Sequence, residues 1–147
     1  MILPELLLLS DSEATILLAR INVMAVKILV VDDQVQIRRL VSAILGAEYQ
    51  VLEATGGEEA LQIARQDMPD LVIMDILMPG MDGLTACSQI KNDPVTSKIP
   101  VLVLTIIDYD LNRRFAEDLG ADGYITKPFT AESLREAVAR HLKPTAA

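Results

Sequence analysis

Val26-Lys27-Ile28-Leu29-Val30-Val31-Asp32-Asp33 reads as a short buried strand that ends abruptly in two carboxylates. Three further runs share that form: Leu71 to Met74 ends in Asp75, Val101 to Leu104 in Thr105, and Tyr124 to Thr126 in Lys127 followed by Pro128. If these runs are neighbouring parallel strands, three carboxylates, a hydroxyl and an ammonium converge at one sheet edge, where open α/β sheets place their ligands. Carboxylates held a few Å apart repel one another, so the cluster calls for a divalent cation. Hard oxygen ligands point to magnesium.

Outward from these runs, β-rich segments alternate with segments of helical period, which is the signature of a parallel sheet with crossover helices. Five strands and five helices can be counted from Val26 onward. Ile37, Leu40, Val41, Ile44 and Leu45 form the apolar stripe of a helix over roughly Val35 to Leu45, and Gly46 stops it. Tyr49 to Ala54 reads as the second strand and Gly57 to Gln66 as the next helix. Met78-Pro79-Gly80-Met81-Asp82-Gly83 is loop-forming, a helix runs from Leu84 to about Lys91, and Asp93-Pro94 breaks it. Leu111, Phe115 and Leu119 mark a fourth helix. The fifth enters at Thr130 or Ala131, with Leu134, Ala137, Val138 and Leu142 facing inward.

The chain of 147 residues suits one domain with a sizeable core. Its formal net charge of -8 argues against direct nucleic-acid binding, since that affinity comes largely from Lys and Arg displacing counterions. The single cysteine, Cys87, excludes an internal disulfide and reads as buried filler in a helix, in keeping with a reducing, cytoplasmic setting. No uncharged apolar stretch reaches the ~18 residues of a membrane span.

Residues 1–23 stand apart as an extension. Ser10 with Glu13 makes a capping-box pattern before Ala14, Leu17, Leu18 and Ile21, which share one helical face. The segment is either a short amphipathic helix, packed on this domain or on a second copy, or a mis-assigned start with Met24 as the true first residue. Glu5 and the lack of a basic residue before Arg20 argue against a signal peptide.

Lys27 to Asp33, Asp70 to Asp75 with Pro79 and Gly83, Leu104-Thr105, and Gly120-Ala121-Asp122-Gly123-Tyr124-Ile125-Thr126-Lys127-Pro128-Phe129 together resemble the receiver domain of two-component response regulators. The resemblance covers residues 26–142, and the spacings from Asp75 to Thr105 and to Lys127 are similar to the family's. It implies a flavodoxin-like, doubly wound (βα)5 fold with a parallel five-stranded sheet of order 2-1-3-4-5. The receiver would occupy residues 24–143, with 144–147 as a tail.

The same resemblance implies that Asp75 accepts a phosphoryl group from a sensor histidine kinase or a histidine phosphotransfer protein, as a phosphoreceiver rather than an enzyme, with Mg2+-dependent self-phosphorylation and self-dephosphorylation. Asp33 would be the more direct Mg2+ ligand, Asp32 would act largely through water, and Asp75 and the backbone carbonyl of Leu77 would complete the set. Lys127 and Thr105 would meet phosphoryl oxygens, and the Lys127–Pro128 bond would be cis. Thr105 and Tyr124 would form the switch, reshaping for a downstream protein the face of the fourth helix, fifth strand and fifth helix, which includes Asn112, Arg113 and Glu117. No membrane partner is implied, and dimerisation stays open.

Ile106, followed by Ile107, departs from the small residue frequent after that threonine and predicts slower hydrolysis of phospho-Asp75. Blander readings exist: Asp32 or Asp33 as a helix N-cap, Thr105 as a turn residue, Lys127 as a solvated charge, Tyr124 as a core residue. A haloacid-dehalogenase-like phosphatase would need an acid where Leu77 stands, and neither common nucleotide-binding glycine motif occurs. An adaptor that binds without phosphorylation is the remaining alternative. The end at Ala147 fits a stand-alone receiver, although Lys143-Pro144-Thr145 could begin a linker.

Overall fold

Leu71–Asp75 and Val101–Thr105 are buried along their whole length, as continuous apolar runs require when a strand is covered on both faces. The computed structural model describes residues 8–76, 78, 80–105 and 120–142, with the backbone alone over 19–24. Five strands, β1 (Lys27–Val31), β2 (Gln50–Ala54), β3 (Leu71–Asp75), β4 (Val101–Thr105) and β5 (Gly123–Thr126), form one sheet of order β2-β1-β3-β4-β5. Every pairing is parallel.

The described helices are α1 (Asp11–Met24), α2 (Val35–Leu45), α3 (Gly57–Asp67), α4 (Gly83–Asn92) and α5 (Ala131–His141). Successive strand residues point to opposite faces, and the core divides accordingly. Leu29, Val31, Val72, Met74 and Val101 pack against Ala60, Ala64, Ala86, Cys87 and Ile90 of α3 and α4. Ile28, Val30, Leu71, Ile73, Leu102, Leu104 and Ile125 pack against Val41, Leu45, Leu134 and Val138 of α2 and α5. The doubly wound fold is therefore present, and the strand order reverses where β1 lies between β2 and β3. The helix expected around Leu111 to Leu119 lies outside the described residues, as do Ile106, Ile107, Asn112, Arg113, Glu117, and the tail from Lys143.

Element ends shift by about a residue for local reasons. The helix α3 runs to Asp67 and stops at Met68, whose φ of 47 places a non-glycine residue in the left-handed region. The helix α2 ends at Gly46 as expected, but that glycine stays right-handed, its N–H bonded to the Ser42 carbonyl at 2.8 Å. Thr130 caps α5 in a reciprocal pair with Ser133, each backbone N–H 3.0 Å from the other's hydroxyl. A serine in the third position hides that box from a pattern that seeks Glu or Gln.

The capping box of α1 forms as read, with Glu13 N–H to Ser10 Oγ at 3.2 Å and Ser10 N–H to Glu13 Oε2 at 3.1 Å. Its apolar stripe is only partly covered: Ala14 and Leu17 are half-buried, whereas Leu18 is 56% exposed. Among the described residues no helix is long and apolar enough to cross a membrane. Cys87 is buried in α4, and desolvation pushes its thiol up to about 11, with Lys91 pulling it down and Asp122 adding to the rise.

Candidate functional site

Register brings the polar strand ends to one edge. Val31 pairs with Met74, so Asp32 follows β1 level with Asp75 at the end of β3. Thr105 pairs with Thr126, and Lys127 N–H bonds the Thr105 carbonyl at 2.7 Å, which brings the lysine to the same edge just past β5. The Lys127–Pro128 peptide is cis. Asp32, Asp75 and Thr105 are buried, while Asp33 is exposed.

Lys127 Nζ reaches back across β4 to Asp32 Oδ2 at 3.3 Å and Asp75 Oδ1 at 3.4 Å. A carboxylate oxygen from each of Asp32, Asp33 and Asp75 lies within 4.8 Å of the others. Like charges at about 4 Å repel by roughly 4 kcal/mol at the effective dielectric of a protein surface. One ammonium offsets only part of this charge. The donor set is all hard oxygen, it is open at Asp33, and its three oxygens lie close enough together to share one ion, so the residues fit a divalent cation such as Mg2+.

The capping interpretation of the aspartates does not hold. Gln34 is the N-cap of α2 and makes no side-chain cap bond. Asp32 Oδ1 instead accepts from Gln34 N–H at 2.9 Å, and its N–H continues the ladder to the Ala54 carbonyl at 3.1 Å. Its carboxylate is thus aimed at Lys127 and Asp75 and away from solvent. Nor is Lys127 a solvated charge, for its side chain is only 16% exposed. Tyr124 is half-buried on β5, opposite Val103. Leu77 and Pro79 lie outside the described residues.

Three residues were given no role at the site from the sequence. Gly83, noted in the sequence only as part of a pattern, starts α4 directly over the end of β3: its N–H bonds the Ile76 carbonyl at 3.0 Å, and a Cβ there would sit 1.8 Å from the Asp75 carbonyl oxygen. Asp82 caps α4 just before it, accepting from Thr85 N–H at 2.7 Å. Arg38 of α2 bonds the backbone of Asp32. A basic residue one turn into the helix after an Asp-Asp pair is the only sequence signal for it.

Residues 28–139 match the family model of the response regulator receiver domain. The chain is 44% identical over 106 residues to the response regulator PleD of Caulobacter vibrioides, covering 71% of this chain and 23% of PleD. It is 39% identical over 120 residues to the probable transcriptional regulator ycf27 of Guillardia theta, covering 81% of this chain and 46% of that protein. The chain thus spans about half or less of the length of these curated relatives. Among solved structures, the chemotaxis protein CheY4 of Vibrio cholerae superposes with a TM-score of 0.77 at 34% identity, over 80% of this chain and 99% of CheY4. The BeF3-activated N-terminal receiver domain of Klebsiella pneumoniae RstA superposes with a TM-score of 0.74 at 31% identity, over 80% of this chain and 99% of that one. The chain belongs to the response regulator receiver domain family, the phosphorylation-dependent signalling domains of two-component systems.

Proposed function

We propose that Asp75 is the phosphoryl acceptor and that Asp32, Asp33 and Asp75, with the carbonyl of Leu77, hold the Mg2+ that the reaction needs. The observation that carries this reading is the joint hold of Lys127 on Asp32 and Asp75 beside the exposed Asp33. Bound Mg2+ would supply the positive charge that lets an anionic phosphoryl group approach an already acidic pocket.

The donor is a phosphohistidine of a sensor kinase or phosphotransfer protein. An Asp75 carboxylate oxygen bonds to phosphorus as the phosphorus–nitrogen bond breaks, and the released imidazole nitrogen takes a proton from solvent. Lys127 offers its ammonium to one phosphoryl oxygen and Thr105 its hydroxyl to another, so the protein acts by position and charge. Movement of Thr105 toward the phosphoryl group lets Tyr124 turn inward and alters the face around β5 and α5 for a downstream protein. The setting is the cytoplasm, where sensor kinases present their phosphohistidines.

Incubation with Mg2+ and acetyl phosphate, followed by intact mass, tests the reading. One added phosphoryl group that requires both Mg2+ and Asp75 is expected, and an Asp75→Ala chain that is labelled equally would overturn it. BeF3−, which activates the RstA receiver, is expected to bind under the same two requirements.

A further inference from the structure

Arg38 lies just over one turn from the Asp32-Asp33 pair, and its guanidinium turns back toward it. Its Nη1 donates to the Asp32 carbonyl at 2.7 Å, and its Nε pairs with Glu53 Oε1 at 3.2 Å. Glu53 lies in β2 opposite Val30, so the fork ties the loop after β1 to the neighbouring strand. The Arg38 side chain is only 13% exposed, which for so long a cation indicates a fixed pose.

The carbonyl it grips belongs to the peptide that joins Asp32 to Asp33. Asp32 is already held at its N–H, at both carboxylate oxygens and by burial. Asp33 is exposed, and the plane of the preceding peptide sets the direction in which its side chain leaves the chain. We infer that Arg38 is a positioning residue for the metal site: it clamps the Asp32–Asp33 peptide and so aims Asp33 at the point shared with Asp32 and Asp75. The inference rests on the acidic cluster being a Mg2+ site.

Charge and geometry make opposite predictions here. Arg38 is a cation beside a cation site, so by Coulomb's law alone its removal should tighten metal binding. Loss of the clamp should loosen it, and outer-shell partners of metal ligands typically contribute 10–100-fold in affinity. The test is the affinity of the unphosphorylated chain for Mn2+, read by electron paramagnetic resonance, and for Mg2+ by competition, in the native, Arg38→Met and Arg38→Lys chains. Circular dichroism selects a temperature at which all three are folded.

Arg38→Met is expected to bind about tenfold more weakly or worse, and Arg38→Lys, which keeps the charge but not the fork, to fall between it and the native chain. A Met variant that binds as tightly as the native chain, or more tightly, overturns the proposal. Should the Met variant not fold, a Lys variant of native affinity overturns it. A native chain that binds neither ion would instead sink the metal-site reading itself, a result distinct from either.

Discussion

A methyl group added to Gly83 would lie 1.8 Å from the carbonyl oxygen of Asp75 and 2.7 Å from its carbonyl carbon. Both atoms are backbone, so no side-chain rotation relieves the clash. The start of α4 thus rests on the backbone of Asp75 itself, and the bond from Gly83 N–H to the Ile76 carbonyl fixes that approach.

Gly83→Ala must therefore push α4 away from the end of β3. Overpacking of this kind costs about 1–3 kcal/mol, and the displaced backbone should slow phosphorylation of Asp75. Chemical denaturation and the acetyl phosphate labelling rate measure the two effects, and a variant that matches the native chain in both would remove this account of the glycine.

Lys127 provides a countercharge for the fully buried Asp32. Its replacement by Met leaves that carboxylate facing Asp75, and breaking a buried pair from one side costs roughly 3 kcal/mol. Mg2+ should restore part of the lost stability, because a bound dication offsets the same charge. Thermal melts with and without Mg2+ are expected to show a larger Mg2+-induced rise in Tm for Lys127→Met than for the native chain.

Asp93 closes α4 by accepting from Val95 N–H at 2.9 Å and pairing with Arg65 of α3. The Val95 bond first, and Arg65 second, hold its carboxyl below the usual carboxylate range. A carboxyl whose folded pKa is depressed adds stability above its unfolded value and loses it as pH falls through the folded one. Asp93→Asn should accordingly destabilise the chain at neutral pH and flatten the decline of Tm below about pH 4. Parallel melts of both chains down the acid limb check the sign.

Ile106 follows Thr105 directly, where the family often carries a small residue. Ile106→Ala is expected to shorten the lifetime of phospho-Asp75 several-fold by admitting water. An unchanged decay of the phosphorylated mass would remove the idea.

Legibility differed among the parts of the site. Four of the five strands showed themselves as apolar runs with a polar end, most plainly β3 and β4, which are buried along their whole length, whereas β2 carries Glu53 within it. Asp32, Asp33, Asp75, Thr105 and Lys127 stood out as the residues on which those runs close. Helix ends were less legible: Met68 takes a left-handed pose that favours glycine, and Ser133 completes a cap usually made by Glu or Gln.

Local periodicity therefore determined the element order and a parallel sheet with crossover helices, and the polar ends of the apolar runs gave the acidic cluster, since those follow from what neighbouring residues can bury; the doubly wound strand order came from the resemblance to receiver domains. Only the assembled sheet decided that Lys127 would span both Asp32 and Asp75, that Gly83 would leave room for the Asp75 backbone, and that Arg38 would grip the peptide between the paired aspartates. These are contacts between separate elements, and their distances depend on strand register and helix placement, which no stretch of sequence specifies alone.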